Sequence, residues 1–156
     1  MKLTLTHDIN DFEACAKMML LTDPWIKLGF SFQNCRNAFN GEERETYILK
    51  ENDTIIGFVI IQPKGSFRGY IQTLCVNETH RGKGIGKQIL QMAEKMIHAY
   101  SPNVFICVSD FNKEALKLYK NEGFIEVGHL PDFIKEGFTE ILLRKSIGPI
   151  LPYQTN

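Results

Sequence analysis

The chain has 156 residues, 44% of them hydrophobic, and 18 basic and 18 acidic side chains that leave its formal net charge at zero. This length suits one domain with a single sizeable core, and the charge balance argues against a nucleic-acid or membrane partner that is held by net charge. Four widely spaced cysteines, with no C-x-x-C pair, support neither a metal site nor a disulfide framework. Residues 1–4 do not open a signal peptide, and the apolar run 55–61 is too short to cross a bilayer. We therefore expect a cytoplasmic protein that binds no metal, no membrane and no nucleic acid.

The first part of the chain is predicted to hold a short strand and two helices. Alternating leucine and threonine over residues 3–6 indicates the strand. Asp8 or Asn10 can cap the helix that follows, and Pro24 prevents that helix from continuing. A second helix is expected over residues 31–39, ending before an Asn-Gly pair.

Strand patterns follow in the middle and near the end of the chain. Residues 47–49 and 54–61 are predicted to form two antiparallel strands joined by a polar turn. The continuous apolar run 104–108 is typical of a strand that is buried on both faces and lies parallel to a neighbour. Two last strands are expected, one beginning at 124–127 and one including 141–143. These patterns predict mixed α and β elements around one sheet.

The most informative stretch runs from Tyr70 to Tyr100 and has the pattern of a strand, a glycine loop and a helix. The strand is apolar up to Val76, and from Ile85 onward apolar residues recur at helical spacing. Between them, three glycines in five positions let the backbone turn tightly and bring its amides close to a ligand. A helix that begins at such a loop directs unpaired N–H groups and the positive end of its dipole to one point. The stretch therefore indicates an anion site, most simply for a phosphate or a pyrophosphate.

Two common phosphate motifs do not fit this loop. The dinucleotide fingerprint G-x-G-x-x-G fails because Lys87 stands at its third glycine. The P-loop fails because Gln88 replaces the required Ser or Thr and Arg81 stands at the first glycine. The pattern that remains, Arg81-x-x-Gly84-x-Gly86 after an apolar strand, resembles the pyrophosphate-binding motif of GNAT-type N-acetyltransferases, which bind coenzyme A.

A second block of sequence carries the same resemblance. A helix capped by Asn112 or Asp110 and ending at Gly123 contains the pattern N-x-x-A-x-x-L-Y-x-x-x-G-F. This pattern resembles the second signature block of the same acetyltransferases, in the expected order along the chain. The resemblance covers residues 55–144, and the first 45 residues match only in the placement of their helices.

The resemblance implies an α+β fold with one GNAT-like domain over residues 1–156. Its central sheet would be mostly antiparallel and splayed between a parallel pair, the fourth and fifth strands, with helices on both faces. Residues 55–144 would form the cofactor-binding core, and the helices within 8–40 would lie on the acceptor side. The tail 147–156 is expected to be loosely attached.

The resemblance also implies a site for acetyl-CoA. The pantetheine arm would lie between the splayed strands along Leu74, Cys75 and Val76, pairing with the backbone of Leu74 and Val76, and Asn112 would bond to it. The pyrophosphate would be held by the amides of one loop: Arg81, Gly82, Lys83, Gly84, Ile85 and Gly86. Tyr119 would point its hydroxyl at the thioester sulfur. Since proton transfer from a tyrosine to a thiolate runs uphill by about 2 kcal/mol on reference pKa values, Tyr119 is expected to act chiefly as a hydrogen-bond donor.

Direct transfer of an acetyl group to an amine also needs an oxyanion donor and a base. The N–H of Val76 is the expected donor. Some relatives that acetylate protein N-termini carry a glutamate at the position held here by Cys107, and a thiol in an apolar strand is a poor base. The sequence leaves the base open between a water chain and several side chains: Glu43, Glu45, Gln72, Asp132 and Glu136. His80 is expected to contact solvent or cofactor, and Lys83 and Lys87 are either solvated or paired with phosphates.

The acceptor is not specified by any motif. The aromatic side chains of the N-terminal part either pack helices on the sheet or wall the acceptor pocket: Trp25, Phe30, Phe32 and Phe39. We expect an acetyl-CoA-dependent N-acetyltransferase that acts on a primary amine of a small molecule or a peptide and that can form a homodimer. The alternatives are an acyl-CoA-binding regulatory module with little turnover and a nucleotide-binding α/β domain.

Overall fold

One mixed sheet dominates the computed structural model, which describes residues 1–151. Within that range the strands are β1 (Thr4–Thr6), β2 (Glu45–Glu51), β3 (Thr54–Gln62), β4 (Tyr70–Val76), β5 (Asn103–Ser109), β6 (Ile125–Pro131) and β7 (Thr139–Ser146). The helices are α1 (Ile9–Leu20), α2 (Trp25–Leu28), α3 (Phe32–Asn37), α4 (Ile85–Ile97) and α5 (Lys113–Asn121). The strand order is β1-β2-β3-β4-β5-β7-β6, and the pairing of β4 with β5 is parallel while the other neighbours are antiparallel. The predicted fold class is confirmed, including the position of the parallel pair.

The sheet is buried on both faces because β3, near its centre, is apolar along most of its length, and residues 56–61 are all buried. Along β3, Phe58 and Ile60 pack with α1 and α3, whereas Val59 and Ile61 pack with α4. The helix α4 presents one apolar face to the sheet, on which Ile89 is fully buried. Each face of the sheet therefore packs against its own set of helices.

The N-terminal helices differ in part from the prediction. Helix α1 begins after Asp8, whose carboxylate accepts the N–H of Asn10 at 2.8 Å, as expected. Helix α3 is shorter than predicted because it ends at Asn37, and Phe39 leaves it to pack in the core. The four-residue helix α2 was not predicted, since one helical turn has no hydrophobic period to detect.

The strands β4 and β5 pair only at their beginnings and then separate. Their parallel register covers Tyr70↔Phe105 and Ile71↔Ile106. On the other side of β4, Ile60 of β3 pairs with Thr73 and Ile61 pairs with Ile71, so one residue of β4 is bulged out. The bulge lies where the pairing of β4 with β5 stops, and beyond it an open wedge separates the carboxyl ends of the two strands.

The segment that follows β7 begins beside the start of β5. The N–H of Ile147 donates to the carbonyl of Pro102 at 3.0 Å, which attaches the start of the predicted tail. The remainder of that tail, residues 152–156, lies outside the described residues. Over residues 1–151, no helix has the length and hydropathy of a bilayer span.

Candidate active site

A cavity of about 370 Å³ occupies the wedge between β4 and β5. At one end its walls are the glycine loop after β4, the start of α4 and the inner face of α5. At the other end the walls are residues 22–25 and Leu28, Phe133 and Ile134 of the β6–β7 loop, and Glu140 of β7. The cavity thus connects the expected phosphate site with the side of the molecule expected to hold the acceptor.

The backbone of β4 directs unpaired amides into this cavity. The N–H of Asn77 donates to the carbonyl of Ile56 at 2.8 Å, so the amide of residue 77 points toward β3. Because antiparallel residues alternate in direction, Cys75 turns its amide to β3, whereas Leu74 and Val76 turn theirs to the wedge. The strand β5 has already separated there, so these two N–H groups face the cavity. The Val76 carbonyl is occupied, since it accepts Nε of Arg81 at 3.2 Å.

The glycine loop fits an anion by its conformation. Gly82 and Gly84 have φ values of 72° and 78°, in the left-handed region that side chains disfavour. Gly84 precedes helix α4 as its N-cap and offers no side chain to cap it, so the N–H groups of the first turn are free to bind a ligand. A Cβ on Gly86 would lie 3.6 Å from Val76 Cγ2 and 3.7 Å from Leu118 Cδ2, so the helix start sits close to both walls of the wedge.

The basic side chains around the loop are already engaged. Besides Val76, the Arg81 guanidinium donates to the carbonyl of Leu21, at 3.3 Å, and to the hydroxyl of Thr22. It therefore ties the end of α1 to the loop. Nζ of Lys83 donates to the Thr79 carbonyl at 3.1 Å, and Lys83 lies outside the cavity wall. Lys87 lines the cavity and pairs with Glu122 at 3.0 Å.

Helix α5 contributes Asn112 and Tyr119 to the wall. The side-chain oxygen Oδ1 of Asn112 caps the helix by accepting the N–H of Ala115 at 3.4 Å. The side-chain NH₂ group of Asn112 remains available to a ligand. Tyr119 is only 6% exposed, and burial raises the pKa of its phenol well above the usual value. Its hydroxyl has no hydrogen-bond partner in the part of the chain that the structure describes. It therefore stays protonated and can donate to a ligand in the cavity.

Most of the base candidates taken from the sequence lie away from the cavity. The carboxylates outside its wall are Glu43, Glu45, Asp132 and Glu136. Gln72 lines the cavity, but its amide is satisfied by the Ala38 carbonyl at 3.0 Å and by Gln62 at 2.9 Å. His80 also lines the cavity, and its ring lies 3.2 Å from a carboxylate oxygen of Glu51.

Sequence reasoning missed the buried polar group at the acceptor end. Glu140 on β7 is 3% exposed, lines the cavity and accepts the hydroxyl of Ser109 at 2.5 Å. Burial raises the pKa of its carboxyl, and burial likewise raises the pKa of the Cys107 thiol and of the Tyr70 phenol nearby. The available signal was a charged residue at the start of an apolar strand, which is unusual for a position that faces a core.

Apart from Glu140 and Asp23, the acceptor end is mostly apolar. Trp25 and Leu28 of α2 stand opposite Phe133 and Ile134 of the β6–β7 loop. Nζ of Lys135 donates to the Leu28 carbonyl at 3.1 Å and joins the two walls. Of the four aromatic residues noted in the N-terminal part, Trp25 lines the cavity and packs against the same core cluster in which Phe39 is buried. Within residues 1–151, no three potential ligand side chains are grouped to hold a metal ion.

A splayed sheet, amides along the wedge and a helix start facing one cavity are the features of an acyltransferase that uses a coenzyme A thioester. Residues 8–124 match the Acetyltransferase (GNAT) family, and the chain belongs to that family. N-alpha-acetyltransferase 30 of Saccharomyces cerevisiae is 30% identical over 130 residues, which are 77% of this chain and 74% of that protein. The protein is accordingly an N-acetyltransferase with acetyl-CoA as its acetyl donor.

Solved structures agree on the fold. The ribosomal-protein-S18-alanine N-acetyltransferase of Escherichia coli has a TM-score of 0.74 and 16% identity, covering 98% of this chain and 100% of its own. An aminoglycoside 6'-N-acetyltransferase complexed with coenzyme A has a TM-score of 0.72 and 18% identity, covering 96% of this chain and 98% of its own. At these identities the likeness concerns the fold, and the acceptor must be argued from this chain's own residues.

Proposed function

We propose that this protein transfers the acetyl group of acetyl-CoA to the α-amine of a peptide or protein N-terminus. The observation that carries the proposal is the cavity, which runs from the start of α4 past Tyr119 to an apolar mouth with one buried carboxylate. Such a mouth suits a single amine beside an apolar side chain better than it suits a polycation, which needs several carboxylates. The name of the yeast relative, which is an N-alpha-acetyltransferase, supports the same acceptor class.

The chemistry of an α-amine also suits this site. With reference pKa values of about 8 for an α-amine and about 10.4 for lysine, deprotonation at pH 7 costs about 1.4 and about 4.6 kcal/mol respectively. A site with a single base therefore activates an α-amine more readily than a lysine side chain. The thioester of acetyl-CoA supplies the activated acetyl group, and the residues of this chain bind and orient it.

Each part of the cavity wall has a role in this proposal. The N–H groups of Leu74 and Val76 hold the pantetheine arm, and Val76 donates to the thioester oxygen as negative charge develops on it. The amides from Arg81 to Gly86 hold the pyrophosphate. Asn112 donates its free NH₂ to the arm. Tyr119, kept protonated by burial, donates to the departing sulfur.

The test is an acceptor panel with purified protein. Release of free thiol from acetyl-CoA is measured with peptides that have free N-termini, N-terminally blocked peptides that contain lysine, polyamines and aminoglycosides. We expect turnover with the free N-termini, with mass spectrometry placing the acetyl group on the α-amine. Tyr119→Phe should lower kcat by about tenfold to a hundredfold, since it removes one donor to the leaving group.

Two results would contradict the proposal. Turnover with polyamines or aminoglycosides alone would show that the acceptor class is wrong. Tight acetyl-CoA binding without turnover of any amine, and with no effect of Tyr119→Phe, would favour the acyl-CoA-binding regulatory module. We also propose the cytoplasm as the location, where reducing conditions keep all four cysteines as the free thiols that the structure contains.

A further inference from the structure

One face of the β5–β7 strand pair brings a carboxylate next to the position where the sequence lacks one. Ser109 pairs directly with Glu140, and Cys107 pairs with Leu142. Since side chains two apart on a strand share a face, Cys107, Ser109 and Glu140 all point to the same side, and all three line the cavity. Glu140 is directly across from Ser109 and diagonal to Cys107, a neighbour relation that long side chains can bridge.

The hydrogen bonding of Glu140 leaves half of its carboxylate available. Oε1 accepts the Ser109 hydroxyl, while Oε2 has no hydrogen-bond partner among residues 1–151. Among the described residues, Oε2 is not one of the solvent-inaccessible side-chain atoms that lack a hydrogen-bond partner. It is therefore accessible from the cavity that Glu140 lines. No cationic side chain of the described chain forms an ion pair with Glu140. A buried carboxylate with one free oxygen is therefore ready to accept a proton from a ligand.

Two other carboxylates line the cavity, but neither is placed in this way. Asp23 uses an oxygen to accept the N–H of Lys27 at 3.2 Å, and Glu114 is exposed on the first turn of α5. Glu140 is the buried one, at the acceptor end and next to the residue that replaces the expected glutamate.

We infer that Glu140 is the general base of the acetyl transfer proposed above, so that β7 supplies the carboxylate that Cys107 does not supply from β5. Glu140 takes one proton from the ammonium form of the acceptor. The amine nitrogen then bonds to the thioester carbon, the carbon–sulfur bond breaks, and the electron pair leaves with the sulfur. The nitrogen then loses a second proton, and the thiolate beside Tyr119 gains one, so these two changes cancel. Glu140 releases the first proton to solvent. One proton is released per acetyl group transferred from an ammonium.

The surroundings of Glu140 adjust its basicity toward this task. Burial raises the pKa of Glu140 and the nearby Asp110 carboxylate raises it further, while the Ser109 hydroxyl lowers it. The other titratable groups that face it are the Cys107 thiol and the Tyr70 phenol, which burial keeps neutral. A general base is most effective when its pKa lies near the working pH, so the raised pKa of Glu140 favours this role near neutral pH.

The decisive variant is Glu140→Gln. Glutamine keeps the size of the side chain and can still accept the Ser109 hydroxyl, so we expect an unchanged or higher thermal midpoint and unchanged acetyl-CoA affinity. At pH 7, kcat should fall by about a hundredfold or more, the usual effect of losing a general base, while KM for the peptide stays within about threefold. Glu136→Gln, on the neighbouring loop and outside the cavity, is the matched control and should leave the rate unchanged.

The pH profile separates a base from a merely structural residue. In the wild type, kcat/KM should rise as pH increases through the pKa of Glu140, because only the carboxylate accepts a proton. In the Glu140→Gln variant, kcat/KM should rise only as the free amine loses its proton, near about pH 8. The difference in kcat/KM between the variant and the wild type should therefore shrink above about pH 9. Ser109→Ala removes the donor that lowers the pKa of Glu140, and it should move the wild-type rise to higher pH.

Specific results would overturn the inference. If Glu140→Gln raised KM and kept kcat, Glu140 would hold the ammonium and would not be the base. If the pH profile were the same in all three proteins, the base would lie elsewhere. If the wild type acetylated another amine instead of a peptide, the proposed acceptor would fail, and the same variants compared on that amine would decide the role of Glu140. A wild type that turns over no amine would overturn both.

Discussion

The two ends of the cavity are built in different ways. The coenzyme A end comes from one continuous stretch, β4 to α4, together with α5, and its binding groups are mostly backbone amides. The acceptor end comes from α2, the β6–β7 loop and β7, and its groups are side chains far apart in sequence. A backbone site requires particular residue types, above all glycine at positive φ, whereas a side-chain site requires only that several segments meet.

Arg81 is the physical link between the two ends. Its side chain holds the Val76 carbonyl on β4 and the Leu21 carbonyl at the end of α1. The segment after α1, which includes Thr22, continues directly into the acceptor wall. The two ends should therefore respond separately to local substitutions while sharing this one connection.

The largest effect on the coenzyme A end is expected from Gly84→Val. Gly84 has a φ of 78°, which a β-branched residue rarely adopts, so the substitution should displace the amides at the start of α4. We expect acetyl-CoA binding, measured by calorimetric titration, to weaken by about a hundredfold, or about 2.8 kcal/mol.

Gly65→Val is the matched control for backbone strain. Gly65 has a φ of 90° and, like Gly84, no heavy atom within 4 Å of an added Cβ, but it lies in the β3–β4 loop away from the cavity. Its variant should lose a similar amount of stability and keep its affinity for acetyl-CoA. Equal affinities in the two variants would show that the loop amides do not bind the cofactor.

A smaller effect on the same end is expected from Asn112. Asn112→Asp keeps an oxygen to cap α5 and loses the NH₂ group that faces the cavity, so acetyl-CoA affinity should fall by about tenfold with little loss of stability. Asn112→Ala removes both functions and should also lower the free energy of unfolding by about 1 kcal/mol. If aspartate and asparagine gave equal affinity, the residue would serve only as a helix cap.

The same contrast explains what could be predicted from the sequence. Glycine spacing and apolar periodicity predicted the loop and the capped helix α5, and the family resemblance carried by two local motifs implied the splayed sheet around the wedge. The position of Glu140 was not predicted, because its significance depends on the β5–β7 register that places it beside Ser109 and Cys107. The side-chain role of Arg81 was missed for a similar reason, since its partners just after α1, Leu21 and Thr22, lie about 60 residues away in sequence.

The smallest effect should arise at the acceptor end from Lys135→Met. Nζ of Lys135 donates to the Leu28 carbonyl at 3.1 Å and joins the β6–β7 loop to α2. Losing one partly buried hydrogen bond is worth about 1 kcal/mol, so we expect KM for the peptide to rise by about threefold to fivefold in steady-state assays. The affinity for acetyl-CoA should not change. The control Lys120→Met loses an exposed ion pair with Glu126 outside the cavity, and it should change neither the KM for the peptide nor the affinity for acetyl-CoA. If Lys135→Met weakened acetyl-CoA binding as much as peptide binding, the two ends would not act as separate sites, and the acceptor wall would have to be treated as part of the cofactor site.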